Sequence, residues 1–196
     1  MKLFVISSAH LFKGEAALIN QLFEAGMPVL HLRKENPDRQ EYAGLISAVD
    51  ECFHHRIALH QFHELSADFP GVKRLHYPEW MRKQPTQTVK NDEFTRSTSI
   101  HNLNELNEVQ GFAYTFFGPV FDSFSKPGYK SRLAGDFKVP VMENTTPIIA
   151  IGGIDADKIE PLKQMGFEGA AVLGALWNDK EQALTNFNKI KRICSS

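Results

Sequence analysis

Ile148-Ile149-Ala150-Ile151-Gly152-Gly153-Ile154-Asp155 is followed, one helix-length segment later, by Gly169-Ala170-Ala171-Val172-Leu173-Gly174-Ala175. Each stretch is a short apolar run that ends in glycine, and Ala156–Met165 between them carries helical periodicity. An apolar strand running into a tight turn and then a helix is the repeating unit of a parallel sheet. The same rhythm extends outward over the whole chain. Candidate strands are Leu3–Ser7, Pro28–Leu32, Ile57–His60, Val72–His76, Arg96–Ile100, Phe112–Phe117, Pro147–Ile151 and Gly169–Leu173. Candidate helices are Glu15–Ala25, where Leu18/Leu22 and Ile19/Phe23 recur at i, i+4, then Glu41–Phe53 and the terminal Lys180–Ile193. Eight such units predict one α/β domain over residues 1–196, a single-domain (β/α)8 TIM barrel. An open doubly wound sheet leaves three units unassigned. At 196 residues the chain lies just below the usual range of ~200 to 400 for such barrels. The helices after the third and fourth strands must therefore be short.

Composition narrows the function classes. The chain has 22 Lys+Arg against 23 Asp+Glu, a balance that argues against nucleic acid as a partner. With 42% hydrophobic and 23% charged residues it is an ordinary folded domain, not a disordered one. No apolar run approaches the ~20 residues of a membrane-spanning helix. Met1–Ser8 is too short in apolar residues for a secretory leader, so a cytoplasmic location is expected. Cys52 and Cys194 are compatible with one disulfide but not with a disulfide scaffold or a structural zinc site. The sequence is compatible with a homo-oligomer.

In a barrel of this kind the reactive groups follow the carboxyl ends of the strands. Glycines after strands seven and eight let backbone N–H groups approach a phosphate, and the next helix adds the positive end of its dipole. The alternative is that Gly152, Gly153 and Gly174 serve only tight turns. Gly118-Pro119-Val120-Phe121-Asp122-Ser123-Phe124-Ser125-Lys126 follows strand six. In an extended segment Ser123 and Ser125 face one way beside Lys126, a set that suits a phosphate or pyrophosphate leaving group. Such residues are also common in solvated loops. At the end of strand two, alternation puts His31 and Arg33 on one face toward the barrel mouth. Arg33 there reads as an anion ligand or as one half of an ion pair. His31, His60, His76 and His101 all fall at strand ends and could supply a base or gather on a transition metal.

These residues resemble the thiamine phosphate synthase / thiazole tautomerase family. Leu32-Arg33 matches the end of its Gln-Leu-Arg-Glu-Lys segment. Leu75-His76 falls at its fourth strand, and Ser99-Ile100-His101 with Glu105 fits its Ser-x-His…Glu stretch. Gly118-Pro119-Val120-Phe121 with Ser123, Ser125 and Lys126 is similar to its Gly-Pro-Val-Phe-x-Thr-x-Thr-Lys loop. Ala150–Ile154 matches its phosphate turn. The resemblance implies a transferase of thiamine biosynthesis that couples hydroxymethylpyrimidine pyrophosphate with thiazole phosphate, two small phosphorylated substrates. It implies catalytic roles for Arg33, Ser125 and Lys126 on the pyrophosphate. It further implies substrate contacts from His31, Ser99, Ser123, Gly153, Leu173 and Gly174, with Mg²⁺ as the metal.

Several positions depart from the family pattern. His31 stands where the family has Gln, and Lys34-Glu35 reverses its Glu-Lys order. His60-Gln61 replaces Asn-Asp after strand three, and Tyr77-Pro78-Glu79-Trp80 replaces Gly-Gln-x-Asp after strand four. The missing aspartates are the carboxylates that the resemblance assigns to Mg²⁺, with Glu64 and Glu79 as substitutes. A tautomerase needs no such metal, but its hallmark histidine position holds Pro119 here. A non-catalytic sensor of phosphorylated ligands is the alternative from another class.

Overall fold

Eight short strands form where the apolar runs predict them: β1 Lys2–Ile6, β2 Leu30–Leu32, β3 Ile57–Leu59, β4 Arg74–Tyr77, β5 Thr95–Ile100, β6 Tyr114–Phe117, β7 Ile148–Ile151 and β8 Gly169–Val172. The computed structural model describes residues 1–84, 93–122, 137–140 and 146–196. Ser123, Ser125 and Lys126 lie outside the described residues. Every strand is parallel to its neighbours, and Lys2–Val5 of β1 pairs with Gly169–Val172 of β8. The sheet therefore closes into a barrel in simple sequence order.

Alternation along each strand divides the core in two. Leu3 and Val5 point outward against the helices, while Phe4 and Ile6 point inward. The outer layer receives Ile19, Leu22 and Phe23 from α1 (Glu15–Glu24), with Tyr42 and Ile46 from α2 (Arg39–Ala48). Fully burying each such side chain contributes about 1.5–3 kcal/mol. The units after β3 and β4 are indeed short: a 3-10 turn at His63–Ser66 and a single helical turn, α3, at Glu79–Arg82. Among the described residues the remaining α-helices are α4 (Ile159–Met165), α5 (Gly174–Trp177) and α6 (Ala183–Ser195).

Helix boundaries differ from the expected ones for local reasons. α2 begins at Arg39 because the Asp38 carboxylate accepts hydrogen bonds from the N–H groups of Gln40 and Glu41, at 2.8 and 3.1 Å. It stops at Ala48, where Val49 turns extended, and Phe53 belongs to a separate 3-10 turn, Glu51–Arg56. α6 starts at Ala183 rather than Lys180, because Asp179–Gln182 is taken up by a turn in which Gln182 N–H donates to the Asp179 carboxylate. Cys52 is exposed and Cys194 buried, and both are free thiols.

The inner lining is not uniform. Phe4, Ile6, Phe116, Ile149 and Ala171 make its apolar part. His31, His76, Ser97 and Tyr114 are also buried inside, so the β2–β6 part of the wall carries polar groups. Buried polar atoms need partners, and this half of the barrel supplies them internally.

Candidate active site

A cavity of about 840 Å³ opens at the carboxyl end of the barrel. Arg33 reaches it from the end of β2, His60 from β3, His76 from β4 and Ser99 from β5. The turn after β6 contributes Gly118-Pro119, and the turns after β7 and β8 contribute Gly152-Gly153 and Leu173-Gly174. Both glycine turns thus share one mouth, as their spacing predicts.

The glycines after β7 have a packing reason as well as a chemical one. Gly152 and Gly153 adopt φ of 100° and 64°, the left-handed region that disfavours other residues. A Cβ on Gly153 would stand 2.5 Å from the Asp122 carbonyl oxygen, so the β6 turn lies directly on the β7 turn. Its N–H donates to no backbone carbonyl among the described residues. Gly174 opens α5, where the N–H groups of Leu176 and Trp177 donate to the Leu173 carbonyl and those of Gly174 and Ala175 find no backbone acceptor among the described residues. A Cβ there would meet only the Asn178 side chain, at 3.2 Å. Backbone donors from two turns therefore converge where an anion can reach them.

Arg33 is exposed at the mouth, and among the described residues no carboxylate pairs with it. Lys34 points the other way. It is buried against Glu15 at the start of α1 and also donates to the Ser8 carbonyl at 2.9 Å. Burial pushes the Glu15 carboxyl up and the Lys34 ammonium down, each partly offset by the other.

His31 does not line the cavity; it lies beneath the floor, fully buried. Its Nδ1 meets His60 Nε2 at 2.9 Å and its Nε2 meets the Tyr114 hydroxyl at 2.7 Å. His76 places Nδ1 3.0 Å from Ser97 Oγ and Nε2 3.0 Å from Ser99 Oγ. The contacts form two chains, Tyr114–His31–His60 and Ser97–His76–Ser99. The His60 and His76 rings stack at 4.0 Å. Burial holds all three imidazoles well below their ordinary pKa, His76 at about 3, and the Arg33 guanidinium pushes His60 and His76 the same way. They are neutral at physiological pH. Burial likewise raises Tyr114 to about 12, keeping it a phenol. Tyr114 is the functional residue that sequence reasoning missed, because Phe112–Phe117 reads as evenly apolar.

His101, expected with the other histidines, sits apart on the rim with Nδ1 2.9 Å from Glu79 Oε2. Lys83 and His101 hold the Glu79 carboxyl below its usual range. Trp80, 64% exposed, stands beside them at the mouth. Glu64 is tied to Arg39 on the surface. Both carboxylates named as substitutes for the Mg²⁺ ligands are thus engaged by cations, and the floor offers imidazole nitrogen. Among the described residues no three carboxylates gather as a hard, oxygen-seeking ion would need.

The family model described as thiamine monophosphate synthase matches residues 86–176. A thiamine-phosphate synthase of Latilactobacillus sakei is 24% identical over 186 residues, covering 88% of this chain and 83% of the relative. The chain is similar to proteins of this name along most of its length. A second thiamine-phosphate synthase, from Prochlorococcus marinus, is 26% identical and covers 94% of the chain, which spans 54% of that longer relative. The crystal structure of thiamine phosphate pyrophosphorylase from Bacteroides thetaiotaomicron superposes with a TM-score of 0.76 at 24% identity, covering 100% of this chain and 98% of its own. That likeness establishes the barrel in common. Among the described residues no helix is long and apolar enough to cross a membrane.

Proposed function

We propose that this protein is a transferase of the thiamine phosphate synthase type, coupling hydroxymethylpyrimidine pyrophosphate with thiazole phosphate and releasing pyrophosphate. The observation that carries this reading is the convergence on one cavity of the two glycine turns and Arg33, which has no carboxylate partner among the described residues. That arrangement offers two separate anion subsites within the reach of one small bisubstrate pair. In the reaction the C–O bond to the pyrophosphate breaks, and the thiazole nitrogen captures the pyrimidine cation by forming a C–N bond. Negative charge grows on the departing pyrophosphate, so cations aimed at it act most in the transition state. Arg33, with Ser125 and Lys126, takes that role, and Ser123 joins them. Gly153, Leu173 and Gly174 hold the thiazole phosphate through backbone N–H groups. Ser99, held by His76, faces the pyrimidine, and His31 acts on the site from below through His60. Nothing observed favours the tautomerase or the sensor.

Product formation from the two substrates, with and without Mg²⁺, is the direct test, because the family's metal has no evident carboxylate set here. A protein that makes no coupled product at any Mg²⁺ concentration would reject the synthase reading. Lys126→Ala is expected to lower the coupling rate about 10²-fold, the usual loss for one donor to a developing anion, while thiazole phosphate affinity holds. Equal losses in rate and affinity would remove Lys126 from the leaving-group role. Gly174→Ala should fold normally, since its Cβ meets only the flexible Asn178 side chain. It should nevertheless weaken thiazole phosphate binding about 10-fold, the worth of one charge-assisted hydrogen bond. Unchanged calorimetric affinity would make that glycine purely structural.

A further inference from the structure

We propose that His31, His60 and His76 form a binding site for a borderline transition-metal ion such as Zn²⁺ at the floor of the barrel. One ligand nitrogen from each lies within 4.8 Å of the other two, on three adjacent strands. Zinc sits about 2.0–2.1 Å from imidazole nitrogen, so modest ring rotations bring the three onto one ion. The chemical form suits it, because neutral imidazole is the ligand.

The surroundings of the rings are those that such a site needs. A ligating histidine donates its second ring N–H to a fixed acceptor, which sets tautomer and orientation. With a metal on His31 Nδ1, the Nε2–H faces the Tyr114 oxygen at 2.7 Å. Whichever nitrogen of His76 binds, the other faces a serine hydroxyl at 3.0 Å, Ser97 on one side and Ser99 on the other. His31 Nδ1 and His60 Nε2 already point at one another at 2.9 Å. Without metal, one of these nitrogens must carry the proton between them. Binding moves that proton to the far nitrogen of the same ring, with no change in net charge.

Phe4 and Phe116 wall the cluster from below and the side. Only His60 and His76 border the cavity, so the remaining coordination position faces the 840 Å³ space. Three neutral ligands leave the ion's double charge uncompensated, and the charges of Arg33 and Arg74 add to it. An anionic fourth ligand entering from the cavity, hydroxide or a phosphate oxygen, supplies the balance. Three protein nitrogens with one exchangeable position is the pattern of a reactive zinc site, not a structural one. The inference does not depend on the proposed synthase activity, and it is tested without substrates.

The chelator-stripped protein is titrated with Zn²⁺ by calorimetry and with Co²⁺ by visible absorption. One equivalent should bind, with the intense bands of tetrahedral Co²⁺, and X-ray absorption of the zinc form should show three imidazole ligands. Tyr114→Phe keeps all three ligands and removes only the hydroxyl on His31, so metal affinity should fall about 10–100-fold. His60→Asn should lose the site. Should that variant fail to fold, the wild-type absorption spectrum still decides. Octahedral Co²⁺ bands, an oxygen-dominated zinc shell, or affinity unchanged in Tyr114→Phe and His60→Asn would overturn the proposal and assign any binding to the exposed histidines.

Discussion

At pH 5 the metal-free protein is expected to be about 2 kcal/mol less stable than at pH 8 through His76 alone. An unfolded histidine takes a proton near pH 6.5, whereas buried His76 does so only at about 3. Between these values the unfolded state binds more protons than the folded one, so stability is present above pH 6.5 and is lost as the pH falls toward 3. His31 and His60 are depressed by the same burial and push in the same direction. Against a total stability of roughly 5–15 kcal/mol this is a large loss. Urea unfolding at the two pH values, in chelator, measures it. His76→Gln should flatten the dependence; an equally steep one in that variant would place the acid sensitivity elsewhere.

Gly118→Ala is expected to destabilise the barrel by about 3 kcal/mol or more. The added Cβ would lie 2.1 Å from the Ile151 carbonyl oxygen and 2.8 Å from its Cγ2, and a backbone atom cannot swing aside. Relief requires the β6 turn to part from β7, breaking the bonds from Val120 N–H to Ile151 and from Phe121 N–H to Gly152, at 3.0 and 3.2 Å. Overpacking costs about 1–3 kcal/mol and each lost hydrogen bond about 1 more. The same movement displaces the Gly152-Gly153 turn, so ligand affinity should fall along with the unfolding midpoint. Gly44→Ala is the matched control. A Cβ there meets nothing within 4 Å in the middle of α2, and replacing a mid-helix glycine gains about 0.5–1 kcal/mol. Similar midpoints for the two variants would show that the contact at Gly118 yields freely.

The barrel was legible because two periods alternate along the chain: apolar runs of strand length and i, i+4 stripes such as Leu18/Leu22. Boundaries were less so. Apolar spacing through Phe53 masks the end of α2, since the break comes from the extended backbone at Val49, not from hydrophobicity. At the mouth, Arg33 and the glycine turns were readable because strand ends in a parallel barrel share one side. The histidines were raised as a set of four, but that His31, His60 and His76 meet without His101 was not readable. Their separation in sequence says that each sits near a strand end, but convergence depends on register, which places His31 opposite Ala58 and His76 opposite Ser97. His101 satisfies the same positional rule and yet projects to the rim, where Glu79 holds it. Lys34 was similarly ambiguous until Glu15, far away in sequence, was seen to bury it.

The chain's two tryptophans occupy opposite environments. Trp80 stands in water at the lip of the cavity. Trp177, 5% exposed, donates its indole N–H to the Ile6 carbonyl at 2.6 Å, locking α5 to the end of β1. A water-exposed indole emits to the red and a buried one to the blue, so the protein carries two optical reporters that separate by wavelength. A heterocycle entering the mouth should quench the red component, and loss of the fold should shift only the blue one. Ligand entry and unfolding can therefore be followed in a single cuvette, without a label and without waiting for turnover.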